Sequence, residues 1–353
     1  MLSLTATELP RFMSCNGSRL LQGIKPFNPD TIVTEEGNAV HWLIEQVFRG
    51  QITAEELIDR KAPNGVLITG DMVEHSSQFI DDMKGGDVEI DTSYGSPGWE
   101  IRGRADGLKF DKSVLIISDF KYGWKIIEPE KNWTLISHSI GWLSRNPFKP
   151  DTITFKIYQP RPFHPLGAVR EWVINYDKLM ELWRELKFTL ENPSDQCTTS
   201  PHCYRCPSIS QCQAHQVATM NSVDVAYRAY NSEVVNDDLS FILNEITRAE
   251  DILKQAKNAY EDLAMHRLRE GQQIPNYSIS NSYGQTRWKD GMDVDTVKAI
   301  TGVDCSKKTL ITPNQAKKAG VDEDVIKALT DRPSNGFKLV KIDAADKAEK
   351  LFK

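Results

Sequence analysis

The stretch from Gly103 to Lys121, GRADGLKFDKSVLIISDFK, limits what this chain can fold into more than any other. Val114 to Ile117 form an apolar strand that delivers Asp119 and Lys121 two residues apart, hence onto one face. Before it, a strand from Trp99 to Ala105 ends at Asp106, and a turn around Phe110 to Ser113 joins the two. A strand that only had to pack would not need a charged D-x-K at its end. Two carboxylates at neighbouring strand ends offer the hard oxygen donors that Mg²⁺ or Mn²⁺ prefers. A lysine beside them can position or deprotonate a water, or offset the charge of a phosphate. Cation, carboxylates and lysine together can hydrolyse a phosphodiester. Asp/Lys pairs also sit at many solvated strand ends, so the surrounding elements decide the reading.

Those elements predict an α/β core with a mixed sheet, in the order helix, three strands, helix, strand, helix. Thr34 caps a helix whose stripe is Val40, Leu43, Ile44, Val47 and Phe48. His41 lies beside that stripe, where a histidine is either a boundary residue or a ligand, and Glu45 one turn on reads as solvated. Asp87 to Thr92 and Trp99 to Phe110 read as a hairpin with Tyr94 to Gly98 as its loop. Pro129 opens a helix from Glu130 to about Leu143. Ile153, Phe155 and Ile157 alternate with polar residues, as in a half-buried strand, which ends in Gln159-Pro160-Arg161-Pro162. Arg161 there is either a phosphate contact or an exposed loop residue. Tyr176 to Leu190 forms the closing helix.

Cysteine spacing adds a second kind of site. Cys203-x2-Cys206-x5-Cys212 lies in a Pro-containing loop, and thiolates this close converge on a metal or cluster. The fourth ligand is open: Cys197, His202 or His215 would complete a zinc knuckle, whereas remote Cys15 would suit an iron–sulfur cluster that pins the N-terminal segment. Cys305 reads as a bystander.

No apolar run in the 353 residues is long enough to span a membrane, and the N-terminus shows no signal-peptide pattern, so a cytoplasmic protein is expected. In that compartment six cysteines suit ligands better than a disulfide framework. A net charge of −6 argues against a protein that coats nucleic acid, but leaves room for an enzyme with a local basic groove.

Taken together, Gly37-x3-His41, Gly103-x2-Asp106, Asp119-x-Lys121 and one early cysteine before a late C-x2-C-x5-C resemble the RecB/AddB branch of the PD-(D/E)XK nucleases. The likeness is greatest to the iron–sulfur-containing RecB-like proteins of phages and prophages, several long filed as a domain of unknown function. It covers residues 1–215 by motif, with Asp-Phe-Lys-Tyr-Gly and Ile-Tyr-Gln-Pro-Arg also typical. The resemblance implies a restriction-endonuclease-like core in which His41, Asp106, Asp119 and the Phe120 carbonyl hold Mg²⁺ or Mn²⁺ and Lys121 assists the attacking water. It implies that Cys15, Cys203, Cys206 and Cys212 bind a chiefly structural 4Fe–4S cluster, leaving Cys197 spare. Where that family carries Gln-x3-Tyr to place DNA, this chain has Thr134 and His138, so substrate handling is expected to differ.

Residues 216–353 read as a mostly helical C-terminal region. Its helix at 237–270 carries Leu239, Ile242, Leu243, Ile246, Ala249, Leu253, Ala256, Tyr260 and Leu263 near heptad spacing, for a packed hairpin or for self-association. Arg287-Trp288-Lys289 has the aromatic-plus-basic character of a single-strand contact. The resulting expectation is a metal-dependent deoxyribonuclease, an exonuclease acting on phage or prophage DNA, with a single-strand annealing or other recombination protein as partner. The alternative is a non-catalytic nucleic-acid-binding or assembly module that keeps the fold.

Overall fold

Backbone pairing explains why the D-x-K strand can carry charge at its end. In the computed structural model, residues 2–19, 32–50, 52–230 and 236–279 are described. Eight strands run β1 (Leu2–Thr5), β2 (Asp87–Asp91), β3 (Tyr94–Ser96), β4 (Trp99–Arg102), β5 (Arg104–Asp111), β6 (Val114–Phe120), β7 (Thr152–Tyr158) and β8 (Val169–Asn175). Seven α-helices among the described residues are α1 (Leu9–Ser14), α2 (Ile32–Phe48), α3 (Gly70–Asp82), α4 (Trp133–Arg145), α5 (Tyr176–Glu191), α6 (Gln213–Tyr230) and α7 (Asn236–Arg269). The five-stranded sheet has order β2-β5-β6-β7-β8, with β6 and β7 parallel and the other neighbours antiparallel. Strand β6 is therefore central, and a parallel crossover through α4 leads into β7.

Two apolar cores cover this mixed sheet. Leu115, Ile117, Ile153, Phe155 and Ile157 pack with Leu135, Ile136 and Ile140 of α4 and Leu179, Leu182 and Leu186 of α5. In the second core, Phe120 and Tyr158 pack with Val40, Leu43 and Ile44 of α2 and Phe79 of α3. Phe79 meets Phe120 and Tyr158 edge to face, with ring centroids 5.7 and 5.1 Å apart. The sheet is thus flanked by helices, the mixed α/β architecture that the sequence predicts. The same burial corrects one expectation: β7 lies between β6 and β8 and is buried on both faces, not half-buried.

The Trp99–Phe110 stretch is two strands in two sheets. Gly103 breaks it: β4 joins β1 and β3 in a small three-stranded sheet, while β5 pairs with β2. The expected Tyr94–Gly98 loop is itself strand β3 plus a two-residue turn, with Pro97 first and Gly98 second at φ 102°. A side chain on Gly103 would collide with Thr92 Oγ1 at 2.8 Å, so this crossing needs glycine. Helix α4 begins later than Pro129 predicts, because Asn132 accepts from the Thr134 amide at 3.1 Å and caps it.

Sequence reading passes over β1, α3, α6 and β8. Strand β8 hides because Arg170 occupies an inward position where an apolar residue is expected. The first compact unit runs from Met1 to Ser280, past the boundary expected at 215, and a second spans Asn281–Lys353. Helices α6 and α7 pack against each other, as a hairpin would, and against the turns that carry the cysteines. Of the heptad positions of α7, Ala249 is buried, whereas Leu239, Leu243, Ile246, Leu253 and Tyr260 are exposed. The readings at Arg287 to Lys289 and Cys305 lie outside the described residues.

Tight packing of α4 over the β2–β3 connection gives a stability test. A Cβ on Gly141 would fall 1.8 Å from the Thr92 carbonyl oxygen, whereas one on Gly37 of α2 meets nothing within 4 Å. Gly141→Ala should lower stability by about 3 kcal/mol or more. Gly37→Ala should raise it by about 0.5–1 kcal/mol through helix propensity. Urea unfolding of both variants reads the contrast.

Candidate functional site

Sheet register lines up three carboxylates. Val88 pairs with Gly107 and Ile90 with Ala105, so Glu89 lies opposite Asp106. Gly107 pairs with Ser118, so Asp106 lies opposite Asp119. Glu89, Asp106 and Asp119 thereby form a row across β2, β5 and β6, and α2 brings His41 to it. His41 Nδ1 stands 3.7 Å from Glu89 Oε1 and 3.8 Å from Asp106 Oδ1. Among the described residues, His41, Glu89 and Asp106 are the three or more His, Cys, Asp or Glu donors whose ligand atoms lie within 4.8 Å of one another.

Each acid is held differently. Asp106 accepts the Phe120 amide on Oδ2 at 2.8 Å, which leaves Oδ1 toward His41. Asp119 is 6% exposed and its Oδ1 takes the Lys121 ammonium at 2.6 Å. Glu89 receives Arg104 Nε at 2.8 Å, and Arg104 reaches on to Glu45 at 3.5 Å. The backbone of Glu89 sits in the left-handed region, at φ 54°. A non-glycine residue there costs roughly 1–2 kcal/mol, and such strain collects where a side chain must be aimed.

The electrostatics follow. Burial pushes the Asp119 carboxyl above its ordinary range and Asp106 adds to this, while Lys121 opposes it. Burial works against a charged His41, but Asp106 and Glu89 outweigh it and raise the imidazole. Concentrated negative charge of this kind, with one imidazole, is a hard-donor set for a small divalent cation. Oxygen and imidazole donors fit, and among the described residues no thiol joins the group.

The expected ligand set is thus gathered only in part. His41 and Asp106 come together, Glu89 joins them, and Asp119 stands outside the 4.8 Å group with its charge on Lys121. Phe120 contributes its amide to Asp106, and its ring is buried in the core. Glu89 was legible only as a polar residue in an alternating strand. Its place depends on the β2–β5 register, which the inserted β3–β4 hairpin obscures in sequence.

Thr134 and His138 are both hydrogen-bonded within the fold. Thr134 Oγ1 donates to the Ala6 carbonyl at 3.3 Å, and His138 is 4% exposed with Nδ1 2.7 Å from Thr92 Oγ1. Burial lowers the His138 pKa to about 4, against a pull upward from Asp119. Arg161 ion-pairs with Glu36 at 2.7 Å and donates to the Tyr122 carbonyl at 3.2 Å.

The cysteines form a second locus. Cys15, Cys197, Cys203, Cys206 and Cys212 are all free thiols and line one pocket together with Arg11 and His215. The N-terminal segment is fastened there by hydrogen bonds: Gly17 N donates to the Gln196 carbonyl at 3.1 Å, and Thr198 Oγ1 to that of Ser14 at 2.6 Å. Amides of Thr198 and Ser200 point at the sulfurs of Cys15 and Cys203, at 3.3 and 3.2 Å. Yet among the described residues no cysteine belongs to a group of three donors within 4.8 Å. Four thiolates on one zinc ion, each about 2.3 Å from the metal, would crowd inside that spacing. The expected spare Cys197 is also in the pocket, its sulfur 2.7 Å from where a Gly17 Cβ would stand. Burial and the neighbouring Cys15 and Cys212 push its thiol up to about 12.

The profile of a family described as Protein of unknown function (DUF2800) matches residues 2–347. The chain belongs to that family. Comparison with curated proteins and with solved structures finds no match. Acid row and thiol pocket both lie within the DUF2800 span. No helix among the described residues of this DUF2800 chain is long and apolar enough to cross a membrane.

Neutral, buried His138 has a consequence for this DUF2800 fold. In the unfolded chain the imidazole takes a proton below about 6.5, but in the fold it resists down to about 4. Across that window the unfolded state binds more protons, so stability is full above it and falls as pH drops through it. The loss approaches about 3 kcal/mol at the acid end. Denaturant midpoints at about pH 7 and about pH 5 should therefore converge in His138→Gln relative to wild type.

Proposed function

We propose that the chain is a metal-dependent DNA nuclease with a restriction-endonuclease-like core. What carries the reading is the row Glu89–Asp106–Asp119 across three neighbouring strands, with His41 at one end and Lys121 at the other. Helix, three antiparallel strands, crossover helix and parallel strand, here α3, β2, β5, β6, α4 and β7, also support it, as does the resemblance to the PD-(D/E)XK nucleases.

In this proposal His41, Glu89 and Asp106 hold Mg²⁺ or Mn²⁺, with Asp119 turning in from Lys121. The cation supplies Lewis acidity toward a phosphate oxygen and makes its bound water more acidic. Lys121, released from Asp119, steers the attacking water and offsets phosphate charge. Arg104 keeps Glu89 aimed. Backbone phosphates dominate recognition, so activity falls with salt and depends little on sequence. The cellular setting we propose is recombination or processing of phage or prophage DNA in the cytoplasm, beside a single-strand annealing protein.

End-labelled linear DNA and closed circles, incubated with Mn²⁺ or with EDTA, test the activity. Divalent-dependent loss of linear DNA alone is expected, for an exonuclease, and Lys121→Ala should lower the rate at least a hundredfold. Intact DNA with purified wild-type protein and Mn²⁺ would favour the binding module instead. Glu89→Gln should weaken Mn²⁺ binding by tenfold or more in calorimetry, a readout separate from cleavage.

For the cysteine pocket we propose a 4Fe–4S cluster on Cys15, Cys203, Cys206 and Cys212. Wide thiol spacing and amide-to-sulfur hydrogen bonds support a cluster over a single zinc ion. Anaerobically purified protein should absorb broadly in the visible and contain iron and sulfide. Cys203→Ser should lose both, while Cys197→Ser keeps them; zinc without iron in wild type would sink the assignment.

A further inference from the structure

Two loops leave the sheet beside the acid row, one after β6 and one after β7, and both present large aromatic side chains to solvent. Trp124 in the first is 60% exposed, and Phe163 in the second is 85% exposed. Single exposed apolar residues are ordinary, but Trp124 belongs to a cation–aromatic stack and Phe163 follows its arginine by two residues. The Arg161 guanidinium lies 4.2 Å from the Tyr122 ring centroid and 5.0 Å from that of Trp124. Tyr122 follows Lys121 directly, and its ring lies parallel to that of Phe120 at 6.3 Å. Trp124 thus stands in the loop that begins where Lys121 leaves the acid row.

The loop after β6 is rigidly built, although it is a loop. Gln159, fully buried, donates to the carbonyls of Gly123 and Lys125 at 2.9 and 2.7 Å and accepts the Ile127 amide at 3.1 Å. Arg170, also buried, donates to the same Gln159 oxygen and to the Ile127 carbonyl, both at 2.7 Å. A floppy apolar loop would need no such clasp. Ring faces fixed in place, with cationic side chains beside them, match what unpaired bases and their phosphates require. A paired, stacked duplex offers no free base face to these rings.

We infer that Trp124 and Phe163, braced by Arg161 and Tyr122, form a stacking shelf for unpaired DNA bases next to the acid row. The inference rests on the proposed nuclease reading and adds the substrate class to it: single-stranded DNA, or a strand end frayed from a duplex. Lys121 at the inner edge and Lys125, 3.5 Å over the Tyr204 ring, place positive charge along the backbone path.

The test is binding of a labelled thymidine oligonucleotide by fluorescence anisotropy in EDTA, where no cleavage occurs, against a blunt duplex of equal length. Wild type should bind the single strand more tightly than the duplex. Trp124→Ala and Phe163→Ala should each weaken single-strand binding about tenfold, and Trp124→Phe should restore most of it. Both residues are exposed, so unchanged circular dichroism and melting are expected, and two independent variants guard against a folding artefact. Wild-type affinity in both alanine variants would overturn the shelf, as would a wild type that prefers the duplex. Aromatic-dependent binding with no cleavage in Mn²⁺ would uphold the shelf and remove the nuclease. Cleavage with binding indifferent to both rings would do the reverse.

Discussion

The Phe120 amide donating to Asp106 is the bond on which the site turns. At the end of β6 the backbone needs an acceptor, and the carboxylate from β5 supplies it at 2.8 Å. That single contact fastens two strands at their functional end. It also commits one Asp106 oxygen to structure and leaves the other toward His41. Burying Asp119 next to it is unfavourable, which is why its pKa rises, and Lys121 meets part of that cost with a 2.6 Å ion pair. Folding and chemistry therefore draw on the same few atoms.

Charge around the row is balanced from outside as well as within. Glu45 binds Arg49 at 2.7 Å and stands 3.5 Å from Arg104, which in turn holds Glu89. These exposed arginines add little to stability individually. Their value is in aim: Glu89 occupies a left-handed backbone position, and an arginine bound to its carboxylate and to its own carbonyl keeps it there. A chain with net charge −6 can in this way gather three carboxylates and still carry Lys121, Lys125 and Arg161 in the segments that follow β6 and β7, where Lys121 meets Asp119 and Arg161 meets Glu36.

What sequence revealed depended on how local the signal was. Helices α2, α5 and α7 and strands β6 and β7 follow from apolar spacing within one segment, and all appear close to where it predicts. His41, Asp106, Asp119 and Lys121 were legible because motif spacing marks them. Glu89 was not, since its role comes from pairing with a strand that follows an inserted hairpin. The partners of Thr134 and His138 were not legible either, since the turn of α4 that carries them bonds to Ala6 and Thr92 from distant segments. Arg170 disguised β8 because its partners, Gln159 and the Ile127 carbonyl, lie in other segments.

The cysteine pocket shows how a distant residue becomes necessary. Cys15 and Cys203 approach because the N-terminal segment is already tied to residues 195–198 by main-chain and hydroxyl bonds. Gly17 permits that approach, since any side chain there would strike the Asp195 and Gln196 carbonyls and the Cys197 sulfur. Preformed contact lowers the entropy that a cluster would otherwise have to overcome in closing so long a loop. It also explains why a fifth thiol can sit in the pocket. Cys197 belongs to the segment that Gly17 packs on, so its position follows from the docking of the two segments, whether or not it binds iron.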